Sequence, residues 1–172
     1  MAEQETNQFV SDETANQYLT FVLDNENYAL NVGRVREVLE LTEITRIPRM
    51  PDYMKGVINV RSKVLPVVDL RLKFEMDEAE ETVDTAIIVT DVAAGEDSVT
   101  IGCRADAVDQ VIDIPPENIE PPPRVGTRIS ADFIQGIGKV DEKFVIILNL
   151  DQVFAADELQ AVESGAKVAQ AQ

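Results

Sequence analysis

Thirty-two carboxylates and no histidine set the terms on which this chain could do chemistry. Without imidazole, the commonest general base and the commonest transition-metal ligand are both missing. Catalysis would fall to carboxylates alone, and their nearest cluster is Asp106, Asp109 and Asp113. Spacings of three and four gather carboxylates on one face of a helix, but "SVTIGCRADAVDQVID" reads as β, where alternation sends them to two faces. Asp69 has no histidine to orient and stands before Leu70 as a structural carboxylate would. There is no calcium-loop D-x-[DN]-x-[DN]-G, no phosphate-cradling G-x-x-x-x-G-K-[ST] and no G-x-S-x-G elbow. The single Cys103 lies in a strand-like run and reads as a small buried thiol. A chain that binds without turnover, and without cofactor or metal, is the expectation.

The stretch "GVINVRSKVLPVVDLRLKF", Gly56 to Phe74, has the apolar density of a core yet is broken by Arg61, Ser62 and Lys63. An unpaired buried guanidinium is costly, so Arg61 must reach solvent or a carboxylate, and Glu37 is a candidate within the chain. "NVRSK" thus offers hydrogen-bond donors at a strand turn, whereas "VLPVVDL" offers packing. Charge is unevenly spread. The chain carries −17 overall, residues 75–98 hold nine acidic side chains and no Lys or Arg, and residues 28–74 carry +4. Such a balance disfavours nucleic acid and anionic membrane as partners, because polyanion affinity comes from cationic neutralisation. It also disfavours an oligonucleotide-binding barrel, which in addition needs an aromatic stacking platform. The contrast reads either as solvated tails and loops beside an ordinary core or as a basic face on the first half that meets an acidic partner.

The elements that position these residues are short and β-rich. Residues 1–16 are polar and acidic without periodicity, and read as a disordered arm. Two runs around "DNEN" make a hairpin signal, and "GVINVRS" and "KVLPVVDL" make another. Pro66 donates no hydrogen bond and is expected at an edge or bulge. The acidic linker "EMDEAEETVD" leads to further strands, "TAIIVTD" and "VTIGCRAD". The two halves repeat each other. Val35 and Val38 match Val108 and Val111 at an offset of 73, as Ile47-Pro48 matches Glu120-Pro121; Tyr53, Gly56, Val67 and Leu70 match Phe133, Gly136, Ile147 and Leu150 at an offset of 80. The fold expected is mainly β, with two tandem antiparallel five-stranded barrels that share an interface. Each unit of about 60 residues is marginal alone. The boundaries are 17–84 for the first barrel with its acidic linker, 85–150 for the second, and 151–172 for a C-terminal helix with a frayed tail, Asp151 as its N-cap. No apolar run approaches the ~18 residues of a membrane span, and the first residues lack signal-peptide features, so a cytoplasmic chain is expected.

Three stretches, "YALNVGRVREVLE", "RIPRMPDYMKGVINVRSKVLPVVDLRLKF" and "FIQGIGKVDEKFVIILNLDQVF", resemble the CheW family of bacterial chemotaxis coupling proteins, from about Tyr18 to Phe154. Ser62 stands where the family usually has Gly, and Arg104-Ala105-Asp106 where its second half usually reads as an apolar V-V-D. The second departure points to a changed surface on the second barrel. The resemblance implies SH3-like barrels and a non-catalytic adaptor, recruited to membrane-associated receptor arrays, between the cytoplasmic tip of chemoreceptors and the regulatory domain of the histidine kinase CheA. A CheW-like paralogue or CheV-type adaptor in another receptor–kinase pathway is the alternative. Carried over by position, the receptor would meet Val35, Glu37, Arg61 and Val111 in a groove between the barrels. The kinase would meet Leu41, Ile44 and Met54, with a second contact near Glu120, Arg124 and Val125.

Overall fold

A computed structural model describes residues 15–94, 96–122 and 129–171. Its strands are β1 (Gln17–Leu23), β2 (Glu26–Asn31), β3 (Val35–Glu40), β4 (Met54–Val60), β5 (Lys63–Asp69), β6 (Ala86–Ala94), β7 (Asp97–Ala105), β8 (Ala107–Asp113), β9 (Ile119–Glu120), β10 (Ile134–Val140) and β11 (Lys143–Leu148). The described residues also form α1 (Leu70–Lys73) after β5, α2 (Leu150–Val153) after β11, and α3 (Ala156–Ala171) after α2.

The repeat is present in three dimensions. β4 and β10 share their length and lie 80 residues apart, as do α1 and α2. Both β4 and β10 carry a register shift against their partners, at Met54/Gly56 and at Ile134/Gly136. Gly56 is needed there: its φ is +144°, and a Cβ would sit 2.1 Å from the Thr45 carbonyl oxygen.

The strands assemble into two curled sheets, ordered β3-β6-β7-β5-β4 and β8-β1-β2-β11-β10-β9. The sequential partition at 84/85 therefore needs correction. The β1–β2 hairpin of the first half lies in the sheet of the second, and β6–β7 of the second half lies in the sheet of the first. Each exchanged hairpin meets its host antiparallel on one side, β3 with β6 and β8 with β1, and parallel on the other, β5 with β7 and β11 with β2, so neither sheet is wholly antiparallel. The second sheet also gains a sixth, two-residue strand, β9. Pro66 lies in an interior strand, where the parallel pairing of β5 begins only at Val67, and so no β7 bond is asked of its missing N–H.

Three apolar clusters result. Ile58, Leu65, Val67, Ile87 and Val89 fill one sheet's interior, and Tyr18, Ala29, Ile114, Val145 and Ile147 fill the other. The largest lies between the sheets, where Phe21, Tyr28, Val68 and Ile88 meet Leu159 and Val162 of α3. Asp151 is not the cap of that helix. It sits in α2 and turns to Arg34, while Glu158 accepts from the Ala155 N–H at 2.9 Å and caps the start of α3. α3 continues to Ala171 where a frayed tail was expected. Residues 1–14 lie outside the described residues. Asn16, placed in the arm by sequence, is held by an Ile114 N–H bond of 2.8 Å.

A polar joint ties the sheets together. Arg71, after α1 begins, donates to both oxygens of Asp106 at 2.9 and 3.1 Å from Nε, and its Nη2 lies 3.6 Å from Asp24 in the β1–β2 turn. Asp69 caps α1 by accepting from Arg71 N–H at 2.9 Å and faces Arg104 at 3.3 Å.

Candidate functional site

Arg61 and Ser62 form the two-residue turn between β4 and β5, with φ of 49° and 69°. Both residues are left-handed, as a tight hairpin turn requires, and Asp141-Glu142 adopt the same turn in the repeat at 49° and 67°. Ser62 therefore occupies the position without glycine. The turn carries Arg61 to Glu37 on edge strand β3, and two parallel bonds of 2.9 and 2.8 Å join them. The guanidinium side chain stays 73% exposed while engaged. Its hydrogen bonds hold the Glu37 carboxyl below the usual range, and Glu37 raises Arg61 in turn.

Val111 lies on β8, the edge of the other sheet, opposite Leu19, and is 52% exposed. Val35 is half-buried against the shared core. The repeat partner of Val111 is Val38, also on an edge strand and 43% exposed. Sequence spacing gives Val38 as the repeat equivalent of Val111, and that equivalence is the signal that marks it as a surface position too. Each sheet thus presents one exposed valine at an equivalent edge.

Leu41 and Ile44 are half-buried against the first sheet's interior, where Thr45 and Val57 exchange two backbone bonds of 2.8 Å. Met54 belongs to the core instead: it is 6% exposed and packs between the sheets, so it supports this face from below. Two depressions adjoin there, of about 600 and 560 Å³, and Arg46 and Lys55 line both. Glu120 is exposed on β9, paired with Ile137 in the other sheet. Arg124 and Val125 lie outside the described residues. Among carboxylates, Asp106 is engaged by Arg71, and Asp109 and Asp113 stand exposed along β8. Among the described residues no group of three or more acidic or thiol side chains is arranged to hold a metal.

The sequence profile of the CheW-like domain matches residues 17–158. The chain belongs to the CheW-like family. It is 29% identical over 159 residues to the chemotaxis protein CheW of Klebsiella aerogenes, covering 92% of this chain and 93% of that one. It is 32% identical over 145 residues to CheW of Treponema pallidum, covering 84% and 85%. The crystal structure of the scaffolding protein TtCheW from Thermoanaerobacter tengcongensis superposes with a TM-score of 0.74 at 36% identity, over 83% of this chain and 90% of that one. The role is that of a chemotaxis adaptor of this family. Among the described residues no helix is long and apolar enough to cross a membrane.

Against the CheW-like pattern, Arg104 does not alter the surface of a second barrel. It lies on β7 within the first sheet, is 7% exposed, and bonds Asp69 at 3.3 Å and the Ala79 carbonyl at 3.1 Å. The departure from an apolar residue is an interior exchange of packing for an ion pair.

Proposed function

We propose that the chain couples the cytoplasmic signalling tip of chemoreceptors to the regulatory domain of the histidine kinase CheA and performs no catalysis of its own. The observation that carries the reading is the exposed Glu37–Arg61 pair on a β3 edge, within a fold that also exposes Val38 and Val111 at equivalent edges. Donors held in a fixed geometry, in a fold that also exposes apolar residues at its sheet edges, suit a helical tip that brings both carbonyl or carboxylate acceptors and apolar side chains. The kinase would take the face at Leu41 and Ile44, with Met54 beneath, and a second contact near Glu120, Arg124 and Val125. The test is a reconstitution with three purified components. Receptor fragment and kinase regulatory domain should each bind the chain, and the kinase domain should sediment with receptor only when the chain is present. Joint sedimentation in its absence, or hydrolase or transferase activity that tracks the purified chain, would overturn the proposal.

A further inference from the structure

Residues 75–81 carry five carboxylates in seven positions and run between α1 and β6 with no ladder hydrogen bonds from residue 76 onward. The buried Met76 anchors the start of this strap. Beyond it the strap is pinned by cationic side chains: Arg71 donates to the Asp77 carbonyl at 2.8 Å, Arg104 to the Ala79 carbonyl at 3.1 Å, and Lys55 pairs with Glu78. Glu78 and Glu81 thereby border the two depressions beside Leu41, Ile44 and Met54. A third depression of about 440 Å³ runs between Lys55, Arg104 and the strap itself.

The opposite wall is basic. Arg46 and Arg49 are exposed there, in the segment whose charge of +4 contrasts with −17 overall. Every other arginine among the described residues is in an ion pair with a carboxylate; Arg46 and Arg49 are not. Arg49 is held in place between Pro48 and Pro51 at φ 63°. Their charge still acts on the strap, since Glu78 is held below the usual carboxylate range first by its bond from Lys55 and also by the field of Arg46. One cationic groove is thus half satisfied by the chain's own acid and half open.

We infer that the groove of Arg46, Arg49 and Lys55 binds an acidic segment of a protein partner, and that the strap of residues 75–81 competes with that segment for the same cations. The inference rests on the adaptor reading, in which this face meets the kinase. Charge complementarity selects the occupant: an apolar partner would leave two exposed guanidinium groups facing it, and a cationic one would meet repulsion from both arginines. Because the strap is held by side chains and not by a sheet, a competing acid can displace it without breaking a ladder.

The test uses the full chain and a fluorescent deca-glutamate peptide, titrated at low and at physiological salt. Glu78→Gln, Glu80→Gln and Glu81→Gln together should tighten peptide binding by at least about threefold, and Arg46→Glu with Arg49→Glu should weaken it by about tenfold, both effects shrinking with salt. Hydrogen exchange at residues 77–81 should quicken when peptide is bound. Equal or weaker binding by the strap variant, unchanged binding by the arginine variant, or unchanged exchange in the bound state overturns the inference. If losing the Lys55–Glu78 pair disturbs the fold, Glu80→Gln with Glu81→Gln must still tighten binding; failure of that variant counts against the inference equally. Titration of the kinase regulatory domain separates the two readings. Should it bind wild type and strap variant alike, competition fails and the adaptor stands; should it not bind at all while the peptide results hold, the adaptor assignment fails and the groove stands.

Discussion

Arg61 pairs with Glu37 yet remains largely exposed, so its removal should be read in binding and not in folding. Arg61→Glu is expected to lower receptor-fragment affinity while kinase affinity and melting temperature stay at wild-type values. The charge swap Arg61→Glu with Glu37→Arg separates two roles. If the pair matters only as an ion pair that ties the turn to β3, the swap restores binding; if the guanidinium itself meets the receptor, as proposed, the swap remains defective. Val111→Asp should keep its fold, because a half-exposed edge position can solvate a carboxylate, and should lose receptor binding to desolvation. Circular dichroism beside the titration reads both. Cys103 is fully buried, and burial pushes its thiol up to about 12. It should resist a disulfide reagent near neutral pH until the chain is unfolded, after which one thiol should react. At this scale the sequence was most legible where a residue is expensive to bury. Arg61 could be assigned to Glu37 because an unpaired guanidinium has few alternatives, whereas Met54 is equally plausible in a core or on a docking face, and only its 6% exposure decides.

Between residues and fold, the short elements follow local chemistry closely where turns and caps are involved. The hairpin at "DNEN" turns at Asp24 and Asn25, both left-handed, as the sequence predicts from turn residues alone. The helix start was misplaced because Asp151 is a good N-cap by type, and nothing local reveals that Arg34, far away in the chain, claims its carboxylate. Long-range pairing overrides local preference again at Arg104. Its partner Asp69 is 2% exposed, and burial raises the Asp69 carboxyl above its ordinary 3.8 while Arg104 pulls it down. Arg104→Val, which restores the family's apolar character, should destabilise the fold by about 2–3 kcal/mol, since Asp69 keeps two backbone donors but loses its counter-ion. The pH dependence has a definite sign. A carboxyl whose folded pKa is raised binds its proton more tightly in the folded state, so stability falls as pH climbs from the unfolded value through the folded one. Without Arg104 the folded value moves higher still and the window widens upward. The deficit of the variant should therefore be larger at about pH 7 than at about pH 4, measured by urea unfolding of both proteins at each pH. A deficit that is flat in pH would mean that lost packing, and not Asp69, carries the cost.

At the scale of the whole chain, the duplication could be read from spacing, and the strand exchange could not. Offsets of 73 and 80 fix which residues correspond, and β4 with β10 and α1 with α2 obey the offset of 80. They do not say whether each hairpin pairs within its own repeat or across, because the corresponding hairpins β1–β2 and β6–β7 are both apolar and largely buried, and fit either sheet. The choice made is crosswise. Tyr28 and Ala29 of β2 lie against Ile146 and Ile147 of β11, and Val67 and Val68 of β5 lie against Gly102 and Cys103 of β7. Each sheet therefore closes only when both halves of the chain are present, and the largest core draws on both sheets and on α3. This architecture makes a strong prediction about cutting the chain. Fragments 1–84 and 85–172 correspond to the tandem barrels that sequence spacing alone would draw, and each should be largely unfolded in isolation. The first would hold β3, β4 and β5 without their β6–β7 partners, and the second would hold β8 to β11 without β1 and β2. Mixed together, they should recover β-sheet circular dichroism with a concentration-dependent melting temperature, because folding is then also association. The intact chain should unfold in one transition, with far-ultraviolet dichroism and tyrosine signals coinciding. If either fragment folds cooperatively alone, or the intact chain melts in two steps, each sheet can stand without its exchanged hairpin. The crosswise pairing would then add little to stability, and the Arg71–Asp106 joint would be bridging two bodies that were already complete.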